Sequence, residues 1–141
     1  MSSFIIQHHS YNQGRGNLYI GVFDNAKLKI ADHCFFNINS SITCLENIEI
    51  GSNCKFGNNL VIVDHDHNYR AKGKFNFENP EFISSPVKIG DNVWCGANVV
   101  ILRGTIIGDN CIIAAGSVIK GIIPANSVVI QRKTNMISGE K

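Results

Sequence analysis

The residues best equipped for chemistry stand in one short run, Asp64-His65-Asp66-His67. A neutral imidazole with its ordinary pKa of about 6.5 accepts a proton near neutral pH, so either histidine could act as a general base. An extended chain sends alternate side chains to opposite faces. That places His65 and His67 on one face and both aspartates on the other. The alternation predicts no local Asp–His dyad, leaving the imidazole to be oriented by a distant group. Two histidines two apart could also ligate a metal, and a polar run of this kind could equally be solvated surface.

Other reactive groups carry less. Five cysteines (Cys34, Cys44, Cys54, Cys95 and Cys111) are odd in number and show no C-x-x-C pair. They read as small buried side chains of a reducing compartment. Gly14-Arg-Gly16 is a lone G-x-G without a dinucleotide-binding context. The 141 residues suit one domain. A net charge of +2 points to no nucleic-acid partner. Met1 to Ser10 lack a basic start and a long apolar stretch, and no run approaches the roughly 20 apolar residues of a membrane span. The expectation is a cytoplasmic protein. Only 17% of residues are charged, which favours an oligomer.

What must position the histidines is a repeat. Ile89, Cys95, Ile101, Ile107, Ile113 and Ile119 are apolar at a step of six. At 44% apolar composition, a fixed frame does this by chance in under about 1% of cases. Glycine follows at Gly90, Gly96 and Gly108. Asn or Gly recurs at Asn92, Asn98, Gly104, Asn110 and Gly116, with compact residues next at Val93, Val99, Thr105, Cys111 and Ser117. Ile50, Phe56 and Ile62 keep the step, as do Ile30, Phe36 and Ile42. Between Ile42 and Ile50 two extra residues bulge near Glu46, and 27 residues separate Ile62 from Ile89. A six-residue unit is a short strand plus a corner. Such rungs bury nothing alone and must stack. The prediction is an all-β parallel solenoid with an inward column, both Cys95 and Cys111 pointing inward, and one excursion loop. Its parts are an N-terminal cap (1–27), first coils (28–67), the excursion (68–88), later coils (89–130) and a tail (131–141).

The stretch from Ile89-Gly-Asp-Asn-Val-Trp-Cys-Gly-Ala-Asn to Ala-Ala-Gly-Ser-Val-Ile119 resembles the hexapeptide-repeat acetyltransferases. Within them it is similar to the galactoside, maltose, capsule and O-antigen O-acetyltransferase branch, over roughly residues 28 to 130. The resemblance implies a left-handed parallel β-helix, a homotrimer with active sites between subunits, acetyl-CoA as co-substrate and a sugar or glycan acceptor. It implies direct transfer, with His67 as the base five residues after a column residue and His65 as second choice. No cysteine stands near the histidines in sequence to carry an acyl group.

The same resemblance assigns Asn37, in Phe35-Phe-Asn-Ile-Asn-Ser, beside the acceptor and base; a plain corner residue is the rival reading. It sets Trp94, Ala97, Ala115, Gly116 and Ser117 along CoA, Trp94 alternatively as a packing residue. Lys120, Arg132 and Lys133 are candidates for the CoA phosphates. Glu46, Tyr69 and Arg70 are candidates for the acceptor. The chain departs from the family in three places: it largely lacks the helical N-terminal extension, its lysine is shifted by one at Lys120-Gly121, and Gln131-Arg-Lys-Thr134 replaces the usual Gly-Asn-Pro-Ala. A metal-dependent branch needs three histidines, and His8, His9 and His33 lie off the later rungs, so no metal is expected. Two rivals stand beside this reading: an N-acyltransferase on an amino-sugar nucleotide, and a non-catalytic β-solenoid binding module.

Overall fold

A computed structural model describes residues 3–6, 12–69 and 81–132. The described residues contain strands and turns but no helix. The chain winds through three faces in turn, and each circuit adds one strand to each face. The first coil is β1 (Ser3–Ile6), β2 (Gln13–Gly14) and β3 (Leu18–Val22); the second is β4 (Lys27–Ile30), β5 (Phe35–Phe36) and β6 (Ser40–Cys44). The third is β7 (Asn47–Ile50), β8 (Lys55–Phe56) and β9 (Val61–Val63). An antiparallel hairpin, β10 (His65–His67) and β11 (Phe82–Ser84), then leaves the stack. The fourth coil is β12 (Val87–Ile89), β13 (Trp94–Cys95) and β14 (Val100–Ile101); the fifth is β15 (Ile106–Ile107), β16 (Ile112–Ile113) and β17 (Val118–Ile119). β18 (Ile122–Ile123) and β19 (Val128–Val129) start a sixth.

All stacked pairs are parallel, in the orders β1-β4-β7-β12-β15-β18, β2-β5-β8-β13-β16-β19 and β3-β6-β9-β14-β17. The predicted solenoid is thus a three-faced parallel β-helix. Where a cap was expected, β1–β3 pair with β4–β6 as a further rung. That rung escapes the period because Gly14 stands at the column place where Phe36 and Phe56 stand below. The excursion opens at His65, three residues before the expected boundary, and the stack resumes at Val87.

The column fills the interior. Ile30, Ile50, Ile89 and Ile107 stack on the first face, Phe36, Phe56, Cys95 and Ile113 on the second, and Ile42, Ile62, Ile101 and Ile119 on the third; all are buried. Burial of this continuous apolar stripe drives the stack. All five cysteines are buried and free. Desolvation pushes the Cys95 thiol up to about 12. Burial, then the charge of Asp64, raises Cys44 likewise to about 12.

The corners explain the asparagines. Eight of them and His33 adopt positive φ, as Gly104 and Gly116 do at equivalent places. Asparagine tolerates the left-handed region better than other residues with a Cβ. Their amides also stack from coil to coil, Asn92 on Asn110 at 3.1 Å and Asn110 on Asn126 at 3.1 Å. After Ile119 the corner shrinks to Lys120-Gly121, with Gly121 at φ 90°.

Candidate active site

Three edges separate the three faces, and they differ in how they treat backbone N–H groups. On the edge between the first and second faces, aspartate side chains cap them. Ser52 N–H donates to Asp91 Oδ1 at 2.7 Å and Asp91 N–H to Asp109 Oδ1 at 2.8 Å. The second edge, between the second and third faces, carries Gly57, Gly96-Ala97 and Ala114-Ala115-Gly116. There Gly96, Ala114 and Gly116 donate to neighbouring coils, while the N–H groups of Ala97 and Ala115 meet no acceptor among the described residues. The side chains beside these two N–H groups are small, and Gly57 and Gly96 pack closely against them.

Asn37, Ala97, Ala115 and Gly116 therefore share one edge, although up to 79 positions separate them. Ser117 follows on, but its side chain is buried and its hydroxyl donates to Ala114 O at 2.7 Å. Only its backbone can face a ligand. Asn37 Oδ1 accepts from Ile38 N–H at 2.9 Å, a contact within its own corner. Trp94 projects from the middle of the second face in register between Lys55 and Ile112 and is 57% exposed. It lines a shallow depression with Asn53, Lys55, Asn92 and Val93, on the side of the first edge. Arg132 is exposed beyond β19. Lys133 and Arg70 lie outside the described residues.

The histidines stand on the third edge, between the third and first faces. Glu46, Tyr69, Arg103 and Lys120 belong to the same edge. The hairpin root is fixed by Ser85 N–H to Asp64 O at 2.9 Å and Gly104 N–H to Ser85 O at 3.0 Å. Arg103 Nε reaches Asp66 Oδ2 at 2.6 Å and clamps the hairpin onto the fourth coil. Phe82, from the partner strand, packs against both imidazoles, with centroids 5.5 Å from His65 and 4.8 Å from His67. His67 is exposed, while the His65 side chain keeps 15% of its surface.

One expectation is corrected here. Asp64 does form a local pair with its neighbour: His65 Nδ1 lies 3.2 Å from Asp64 Oδ1. Alternation fails because Asp64 is a bend between β9 and β10, not part of a continuous strand. Nor is Asp64 a solvated residue. Its carboxylate is 0% exposed and accepts N–H groups from Leu45 at 2.8 Å, Glu46 at 2.7 Å and Asn47 at 2.9 Å. The two extra residues near Glu46 open a corner whose N–H groups converge, and a buried anion fills it. Sequence reasoning missed this, although an acid two residues past a column place, stacked over an insertion, was the available signal. Arg103 was missed as well; a lone cation in the corner Leu102-Arg103-Gly104-Thr105 marks it.

The described architecture is that of a hexapeptide-rung β-helix with a histidine-bearing hairpin. Two repeat signatures match it: Bacterial transferase hexapeptide (six repeats) over residues 86–121, and Hexapeptide repeat of succinyl-transferase over residues 27–63. The chain belongs to the hexapeptide-repeat acetyltransferase family. It is 31% identical over 131 residues to WbbJ of Escherichia coli K12, named for lipopolysaccharide biosynthesis O-acetyl transfer, covering 85% of this chain and 64% of that one. It is 34% identical to the galactoside O-acetyltransferase of the same strain, covering 73% of this chain and 49% of that one. The hexapeptide-repeat acetyltransferase VCA0836 of Vibrio cholerae, solved with acetyl coenzyme A, superposes with a TM-score of 0.69 at 27% identity, covering 83% and 64%. The chain thus spans between about half and two thirds of these relatives' lengths. Among the described residues no group of three or more His, Cys, Asp or Glu is placed to hold a metal ion, and no helix is long and apolar enough to cross a membrane.

Proposed function

We propose that the protein is an acetyl-CoA-dependent O-acetyltransferase acting on a hydroxyl of a sugar or glycan, as a homotrimer. The observation that carries this is the placement of two edges. The open N–H groups of Ala97 and Ala115 line one border of the third face, and the histidine hairpin rises from the other.

That third face supports the trimer. Its outward residues in register are Tyr19, Ser41, Val61, Val100 and Val118, with Gly21, Thr43 and Val63 beside them. None is charged, whereas the first face carries Lys27, Lys29, Glu49 and Lys88 and the second Lys55. An uncharged, largely apolar face asks for a partner. Three copies turning this face toward a common axis bring the second edge of one against the third edge of the next. Within one chain the whole third face separates Asn37 from His67; across such an interface they meet. CoA then lies along Ala97, Ala115 and Gly116, with Lys120 or Arg132 toward its phosphates, and the acceptor binds near Glu46, Tyr69 and the hairpin. The named functions of WbbJ and the galactoside enzyme, and the acetyl-CoA held by the Vibrio protein, agree with this.

In the reaction, His67 takes the proton of the acceptor hydroxyl as its oxygen bonds to the thioester carbonyl carbon. The tetrahedral intermediate collapses, the C–S bond breaks, and the imidazolium returns its proton to the CoA sulfur. General base catalysis contributes typically 10²–10⁴-fold, and the remainder comes from alignment and from N–H donors to the oxyanion. The test is thiol release from acetyl-CoA across a panel of mono-, oligo- and polysaccharides. Acceptor-dependent release is expected; CoA binding with no release for any acceptor contradicts the proposal.

A further inference from the structure

We infer that Asp64 and His65 form an acceptor-positioning pair: the buried carboxylate fixes the proton of His65 on Nδ1, so that Nε2 accepts a hydrogen bond from a second hydroxyl of the sugar lying on Phe82. The inference rests on the proposed reaction for the identity of the ligand, but not for the state of the imidazole.

The argument begins with the number of acceptor sites. A carboxylate offers about four lone-pair positions and no donor. Leu45, Glu46 and Asn47 N–H take three, the Cys44 thiol approaches Oδ2 at 3.5 Å, and the remaining position, on Oδ1, faces His65 Nδ1. An ionised carboxylate has no hydrogen to give, so the one between Asp64 and His65 belongs to Nδ1. A neutral imidazole so held has Nε2 as its lone pair. His65 and His67 alternate on β10 and so face the same side, with the ring of Phe82 against both and 40% exposed. An apolar ring between two nitrogen acceptors matches a pyranose, whose C–H face is apolar and whose hydroxyls ring the edge. His67 takes the reacting hydroxyl and His65 the neighbouring one. The same carboxylate holds the corner bearing Glu46, so hairpin and corner are set by one group.

Long-range ¹H–¹⁵N NMR on the wild-type protein, at a pH about two units above the ordinary imidazole value, reads the tautomer directly. The Nδ1–H form of His65 is expected; the Nε2–H form, or a free mixture, overturns the pair. Kinetics test the role. His65→Ala should raise KM for the acceptor about fivefold to tenfold, the worth of roughly one hydrogen bond, with KM for acetyl-CoA unchanged. Conversely, an acceptor lacking the adjacent hydroxyl should lose that factor on the wild type and nothing further on the variant. A collapse of kcat with acceptor KM unchanged would make His65 the base and sink the positioning role. Should the wild type release no CoA with any acceptor, the proposed reaction falls, while the tautomer still decides the Asp64–His65 pair.

Discussion

At the residue scale the buried thiols and the exposed imidazole of His67 each have a test. His67 stands exposed on a hairpin strand, where its side chain contributes little to the core. His67→Ala should lower kcat at least about a hundredfold, the lower bound for a lost general base, and leave CoA affinity unchanged by titration. Near-normal turnover would remove His67 from the role. Cys95 behaves oppositely: burial moves its thiol from the ordinary 9.0 up to about 12. The unfolded chain gives up this proton first, so the thiol's contribution is complete below about pH 9 and is lost as pH rises toward 12. Over that window one such thiol adds a slope of about 1.4 kcal/mol per pH unit. Urea unfolding of Cys95→Val at pH values across this range should show a shallower fall than wild type by that slope. An identical pH dependence in both proteins contradicts the assignment.

At the element scale the open problem is the end of each sheet, since a last strand offers unpaired groups to any passing strand. The third face solves it with a side chain. Gln131 Oε1 accepts from Val118 N–H at 2.8 Å and its Nε2 donates to Val118 O at 2.7 Å, so one amide imitates the next rung. Gln131→Ala should cost about 1–2 kcal/mol from two hydrogen bonds at a partly solvated edge, seen as a lower melting temperature and faster amide exchange at Val118. Protection at Val118 unchanged in the variant would show that the amide does not cap the sheet. The hairpin is the other special element. Its strands were legible only as a gap in the period, because pairing of His65–His67 with Phe82–Ser84 depends on residues fifteen or more positions apart. Arg103, from the next coil, then sets its angle through Asp66.

At the scale of the whole molecule the proposed trimer turns on the third face. A charge in its centre should be tolerated by a monomer and rejected by a trimer. Val100→Glu is expected to reduce the sedimentation mass from three chains to one and to abolish acceptor-dependent CoA release, with the far-UV spectrum of the β-helix retained. A variant that stays trimeric and active would move the interface to another face. The prediction discriminates because Val100 is an outward residue paired with Val61 and Val118, so its loss leaves the column intact.

The six-residue step determined the solenoid, the inward column, the left-handed corners and the place where the chain departs. It could do so because each rung repeats one local solution of strand, corner and buried side chain, and local solutions are written in local sequence. The resemblance of Ile62 to Arg70 and Ile89 to Ile119 pointed to the histidines and to the small residues of the second edge. Three things came only from the tertiary structure. The first coil was hidden because Gly14 holds a column place by pairing rather than by its own hydrophobicity. Asp64 stands in the sequence as one of two aspartates in a polar run, but what it binds is the backbone of Leu45, Glu46 and Asn47, and backbone N–H groups leave no mark in a sequence. The separation of Asn37 from His67 by a whole face is likewise a product of winding: neighbours in a motif-based picture become opposite edges once the chain closes its triangle.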